Sequence, residues 1–441
     1  MSTRRVRHAA SPLHLDGSGM LGAVTTTRPD AAASRHPHGA PTWVVVTALV
    51  LVAANLRTLM ASLPPLAHSI SADLGLSSAW MGVLTTLPVL CMGLLAPVAN
   101  QVARRVGTAS AVGGGITLVL LGLVLRGQGG GQVWSLYAGT VVAGAGIALA
   151  GTLLPGVVKS VFPARRSGLG TGLTMVAMMG LAAVASATSV PLADALGGWS
   201  ASLLAWVPLA ALAVLAWVPT ARAVRRHAAP TEPPDDVSHA LPWGSLTAWL
   251  LALYLACQSW QFYSSLAWLA PTYESAGWTA RSAGLLMAVF TGAQLVSGLV
   301  APALFDHVGD PRVLLVTATL LGGTGEVGVW LAPQALPWVW ALLLGAGQGA
   351  CFALGLALLV RYAALPRDSA RLTAMAFFVS YTIASFGPAT MGAVEDVTGS
   401  FAALWALLAL VAVPQLAFAL RLRPGLPRVG GAVEAAEPVR P

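Results

Sequence analysis

Residues 55–66 read NLRTLMASLPPL and place Arg57 deep inside an otherwise apolar stretch. An arginine at the centre of a membrane helix costs roughly 3 kcal/mol on insertion scales. Arg57 lies about fourteen residues past Trp43, where the stretch begins, and about nine residues, roughly 14 Å, short of its other end. Both distances strain the reach of a snorkelling side chain. Two arrangements would hold the charge. One is a permanent ion pair with Glu326, an acid in the ninth apolar stretch. The other is a water-filled cavity in which the guanidinium binds an anion through charge-assisted hydrogen bonds.

A second set of polar residues runs through LYLACQSWQFYSSLAWLAP. Tyr254, Gln258, Gln261, Ser265 and Trp268 recur at spacings of 4, 3, 4 and 3, which is one face of an α-helix. The face is polar and aromatic where lipid favours leucine, so it is expected to line the same cavity opposite Arg57. The alternative is helix–helix hydrogen bonding inside a dry bundle. Asn55 joins the candidate ligands with a restriction. It is two residues from Arg57 and points about 200° away on a helix, aligned instead with Thr58 and Ser62. It either bonds a neighbouring helix or enters the site through local unwinding, which the Pro64–Pro65 pair favours because neither residue has a backbone donor.

These residues need membrane helices to hold them, and the composition supplies such helices. Of 441 residues, 56% are hydrophobic and 9% charged, with mean hydropathy +0.75; a soluble domain carries about 25% charged residues. Spans of bilayer length are expected at 42–66, 80–99, 108–126, 133–157, 168–192 and 200–219. Six more follow at 245–271, 281–303, 313–332, 336–360, 372–393 and 401–420. The polar, proline-bearing segment 220–242 separates the two sets as a linker. Residues 1–41 and 423–441 are expected to be cytoplasmic tails, with Met20 a second candidate start. Of the 24 Lys and Arg residues, 21 fall in the tails and the loops on one side. Two, Arg126 and Arg281, fall on the other, so both termini are expected inside.

The halves also repeat. An offset of 202 residues superposes Gly82 on Gly284, Gly107 on Gly309, Lys159 on Arg361, Thr171 on Thr373, Asp194 on Asp396 and Trp199 on Phe401. An all-α protein of twelve transmembrane helices in two pseudo-symmetric six-helix bundles, 42–219 and 243–422, is the expected fold. Transporters built on parallel repeats bind their solute between the halves near the midplane.

Several classes are excluded. The net charge of +8 suggests nucleic acid, but the charge sits where a topology signal belongs. Cys91, Cys257 and Cys351 are isolated in apolar stretches and read as small packing residues. Six of the eight histidines, His8, His14, His36, His38, His227 and His239, fall in the tail or linker region. No convergent acid–base, nucleophile or metal constellation remains, so neither an enzyme nor a cofactor or metal site is expected.

NLRTLMASLPPL at 55–66, LGLSSAWMGVLTTLPVLCMGLLAP at 74–97 and LLPGVVKSVFPARRSGLGTGL at 153–173 resemble the cyanate and nitroimidazole permease branch of the major facilitator superfamily. CQSWQFYSSLAWLAP at 257–271, SAGLLMAVF at 282–290, SYTIASFGP at 380–388 and DVTGS at 396–400 extend the resemblance across about 42 to 422. It implies alternating access, with helices one, four, seven and ten lining the cavity and the ninth, which carries Glu326, outside it. Tyr381, in the SYTIASFGP stretch, completes the candidate binding set. Gly151 and Phe377 stand where relatives tend to carry Asn and Gln, which favours a somewhat larger or more apolar anion. The superfamily's cytoplasmic motif is degenerate in APVANQVARRVG, and its echo is FDHVGDPR. From these, Arg104, Arg105, Asp306 and Arg312 are expected to form inner-gate ion pairs.

The expected function is secondary transport of a small anionic solute across the bacterial cytoplasmic membrane by a monomer. Moving one charge against 100 mV costs about 2.3 kcal/mol, which proton coupling would supply, with His68 and Glu326 as titrating candidates. One alternative is efflux of drug-like or nitroaromatic compounds, dependent on Trp260, Phe262, Trp268 and Phe377. Another is a membrane sensor that binds without transporting.

Overall fold

Residues 42–128, 132–162, 167–227, 241–305 and 307–430 are described by a computed structural model, and nearly all of them are helical. Of the expected tails and linker, residues 1–41, 228–240 and 431–441 lie outside the described residues, as does Asp306. The first six-helix set comprises α1 (Thr42–Ala61), α2 (Ala67–Leu74), α3 (Ser78–Val106), α4 (Thr108–Gln128), α5 (Val133–Val161), α6 (Ser167–Leu196), α7 (Trp199–Leu204) and α8 (Val207–His227). The second comprises α9 (Leu246–Ser275), α10 (Ala280–Phe305), α11 (Pro311–Leu331), α12 (Pro337–Arg361), α13 (Pro366–Thr398) and α14 (Phe401–Arg421).

The proline pair breaks the first span, as the sequence suggested. Pro64 and Pro65 have no N–H to give to the carbonyls of Met60 and Ala61, so α1 stops at Ala61. A 3-10 turn at Pro64–Leu66 leads into α2. The sixth span is likewise two pieces, α7 and α8, and α8 runs eight residues past the expected end at 219, to His227. The repeat survives in detail at the turns of DALGGW and DVTGSF. Gly197 and Gly399 both take positive φ, 86° and 63°, a conformation that side chains with a Cβ rarely adopt.

Eleven segments among the described residues have the length and hydropathy of a bilayer crossing. α9 is the twelfth span and falls short only in hydropathy, because Gln258, Ser259, Gln261, Ser264 and Ser265 dilute it. At 30 residues, about 45 Å long, it spans easily, and 23 of its residues are buried by protein, so its polar groups do not meet lipid.

The two sets meet mainly through α3 against α13 and α6 against α10. Close approach is built from glycine. A side chain at Gly82 would strike the carbonyl of Pro388, and one at Gly392 would strike that of Ser78. Glycines in α5 and α12 do the same within each set, Gly146 against Gly115 and Gly347 against Gly322. The expected C-terminal tail is a strap where it is described. The Val429 N–H donates to the Tyr362 carbonyl (2.8 Å), Ala364 N–H to Val429 (3.0 Å) and the Tyr362 hydroxyl to Arg423 (2.8 Å).

Candidate functional site

Arg57 projects from α1 towards α9. Its Cζ lies 5.2 Å from the centroid of the Phe262 ring and 5.6 Å from that of Tyr263. Both are within cation–π range. Its Nη1 is buried and makes no hydrogen bond among the described residues. The aromatic surface extends beyond these two rings. Phe262 stacks on Phe290 at 6.1 Å, Tyr263 meets Tyr381 at 6.3 Å, and Tyr381 meets Phe377 at 5.3 Å. Arg57 and Tyr381 therefore belong to one cluster.

The ion pair with Glu326 does not form. Glu326 is 0% exposed in α11, and neither carboxylate oxygen has a hydrogen-bond partner among the described residues. Arg57 thus faces aromatic rings with no acid bonded to it.

The polar stripe on α9 takes the other of its two readings, because most of it turns into the second helix set. Gln258 Nε2 donates to the carbonyl and to Oε1 of Gln348 on α12, at 3.3 and 3.2 Å. Gln348 Nε2 donates to Gln261 Oε1 (3.1 Å), and Gln261 Nε2 to Gln415 Oε1 on α14 (2.8 Å). An amide carries both a donor and an acceptor, so these glutamines bond one another across three helices, with Gln415 Nε2 left without a partner among the described residues. Tyr254 is buried in the apolar cluster holding Leu315 and Cys351. Trp268 Nε1 donates to the Pro388 carbonyl on α13 (2.9 Å). Ser265 is fully buried, its hydroxyl without a partner among the described residues. Asn55 donates to the Leu51 carbonyl of its own helix (2.8 Å), away from Arg57. The adjacent face of α9, with Phe262 and Tyr263, is the one that meets Arg57.

The expected inner-gate cluster is described only in part, because Asp306 lies outside the described residues. Arg312 forms a fork with Asp310, Nε to Oδ2 at 2.9 Å and Nη2 to Oδ2 at 2.6 Å. Asp310 is the N-cap of α11, accepting from the Arg312 N–H at 2.9 Å. The Arg312 side-chain bonds hold its carboxyl below the usual carboxylate range. Arg104 and Arg105 are exposed at the end of α3. The ion pairs found among the described residues are Arg312–Asp310 and Arg371–Asp368, so Arg312 is held within its own helix start.

Two groups emerge that the sequence reading placed elsewhere. Asp396, noted only as a repeat landmark, accepts from the Ser78 N–H (2.9 Å) and the Ala79 N–H (2.8 Å) at the start of α3. It joins the two sets at the positive end of a helix dipole. Arg126, assigned to an outside loop, is 2% exposed and donates through Nη1 to the Leu59 carbonyl at the broken end of α1 (3.0 Å).

A model of the Major Facilitator Superfamily matches residues 45–388. The chain belongs to the Major Facilitator Superfamily. Within the superfamily it is 33% identical over 362 residues to the 2-nitroimidazole transporter of Escherichia coli (strain K12), covering 81% of this chain and 90% of that protein. It is 30% identical over 378 residues to the cyanate transport protein CynX of the same organism, covering 85% and 96%. Among solved superfamily structures, that of a D-xylose-proton symporter superposes with a TM-score of 0.67 at 16% identity, covering 88% of this chain and 97% of that one. The chain is therefore a multi-pass membrane transporter and not an enzyme, in the branch the sequence resemblance indicated.

Proposed function

We propose that the protein transports a small monoanion by alternating access, with Arg57 as the charged ligand and the rings of Phe262, Tyr263 and Tyr381 as the walls of the site. The observation that supports this most is a guanidinium in the middle of the first span, bonded to no acid among the described residues, with Nη1 unfilled. A charge in that position is stable when its counter-ion is the cargo. The rings keep water away and strengthen the electrostatic contact. Relatives named for cyanate and for a nitroimidazole fit an anion or a flat polar solute against aromatic walls. The one-sided distribution of basic residues supports a reading with both termini in the cytoplasm, and the two six-helix sets are taken as the halves that rock about the site.

Uptake into proteoliposomes tests this. Cyanate, formate and benzoate are offered to wild type and to Arg57→Ala. Removing one side of a buried charge contact costs about 2 kcal/mol or more, so uptake of the preferred anion should fall at least about thirtyfold. Equal uptake by a folded Arg57→Ala protein would transfer the role to the rings. The protein would then be read as a carrier of neutral nitroaromatic solutes, dependent on Phe262 and Phe377.

A further inference from the structure

Arg126 is the second buried arginine, and the mechanism above does not use it. Its side chain leaves α4 and lines a narrow cavity shared with Leu59 of α1, Thr85 of α3, Thr140 of α5 and Tyr263 of α9. The free space there holds roughly one water molecule. None of the residues lining it is acidic. One guanidinium nitrogen is bonded, Nη1 to the Leu59 carbonyl, while Nε is buried without a partner. The carbonyl lies at the C-terminal end of α1, where the helix dipole offsets part of the charge. A full positive charge in a narrow, mostly apolar pocket is left under-compensated.

Tyr263 connects this cavity to the first site. Its ring sits 5.6 Å from the Arg57 Cζ and also lines the Arg126 cavity. The two cations therefore flank one tyrosine, Arg57 on the α1 helix proper and Arg126 against its broken end.

We propose that Arg126 is a second anion station, taking a small monoanion of pseudohalide size that has left or is approaching Arg57. The proposal rests on the anion reading of Arg57. The anion would fill the vacant Nε, with the hydroxyls of Thr85 and Thr140 turning to it from the carbonyls of Gly82 (2.9 Å) and Leu136 (2.7 Å) in their own helices. With room for about one water in this form, the station would take a three-atom anion only as the helices around it move apart, and a benzoate-sized anion would need a wider opening still. Handing the charge between two cations spares it a crossing of apolar protein unaccompanied.

The competing account is that Arg126 only ties down the end of α1. Arg126→Gln and Arg126→Lys together separate the two, because both shorten the side chain and weaken the tie to the Leu59 carbonyl while only lysine keeps the charge. Initial-rate uptake of cyanate, formate and benzoate is measured in proteoliposomes, and the anion with the highest wild-type rate is carried through the variants. Arg126→Gln should raise KM about tenfold or more, the loss of one charge-assisted hydrogen bond, while Arg126→Lys stays within about threefold of wild type. Thr140→Val should raise KM about threefold with no change in melting temperature, an effect a purely structural arginine would not produce. Wild-type KM in Arg126→Gln overturns the station. If Arg126→Gln does not fold, an unchanged KM in Thr140→Val overturns it and a raised one upholds it. Loss of uptake in Arg57→Ala beside a wild-type KM in Arg126→Gln removes the station and leaves the Arg57 site standing. Normal uptake in Arg57→Ala removes the Arg57 site and, with it, the station that rests on it. No uptake of any of the three anions by wild type overturns both.

Discussion

α1 and α9 are copies of one helix by the 202-residue offset, and they have diverged into opposite materials. α1 carries a cation and breaks at Pro64 and Pro65. α9 carries leucine and alanine at the matching positions, Leu266 and Ala267, and continues unbroken to Ser275. The break frees carbonyls for Arg126, while the unbroken copy anchors itself through Gln258 and Gln261 to α12 and α14. The lesson is that duplication supplies a pair of facing helices and divergence supplies the chemistry. One copy became a charged, interrupted arm, and the other a rigid wall presenting rings.

The sharpest way to break this contrast is Arg57→Ala, for which uptake should fall at least about thirtyfold with the melting temperature unchanged. The next is to make α1 resemble α9. Pro64→Leu with Pro65→Ala restores two backbone donors and lets α1 run on, closing off the Leu59 region, and the maximal uptake rate should fall about tenfold. Third is the join that Asp396 makes with the start of α3. Asp396→Ala removes a cap of about 1 kcal/mol and should open that end about fivefold more often. Labelling of a Thr85→Cys variant, otherwise free of cysteine, by a membrane-impermeant thiol reagent would report it. The smallest effect on transport belongs to Gln261→Leu. It strands the amides of Gln348 and Gln415, costing about 1–3 kcal/mol per unpaired group in thermal unfolding, while KM stays within about twofold of wild type. A large KM change there would move the amide network into the binding site.

The twelve spans and their repeat were legible because hydropathy and turn glycines are local signals. Even the break at Pro64 is written in the residues themselves. The candidate site was legible only in part. Arg57 stood out because a mid-helix charge is rare in lipid, and Tyr381 proved to share its ring cluster. The spacing of Gln258 and Gln261 correctly defined one face, but spacing does not say which neighbour the face meets. A polar stripe suits a water-filled cavity and an amide-lined helix interface equally well, and here α12 and α14 supply the matching amides. Arg126 was hidden by its place at the very end of a span, where an arginine ordinarily reaches out to water. Its inward turn depends on the Leu59 carbonyl, brought close from 67 residues away. Arg312 was recognised as a paired cation, and the partner found for it among the described residues is Asp310, two residues away.

The weak hydropathy of α9 bears on how the chain is made. A segment carrying Gln258, Ser259, Gln261, Ser264 and Ser265 is a poor candidate to leave the translocon for lipid on its own. The amides that stabilise it lie on α12 and α14, which leave the ribosome later. During synthesis α9 must therefore wait beside the insertion machinery, or on the already inserted first half, until its partners arrive. The second half of the protein enters the membrane as a cooperative group, and a nascent chain ended before α12 would leave α9 stranded at the membrane surface.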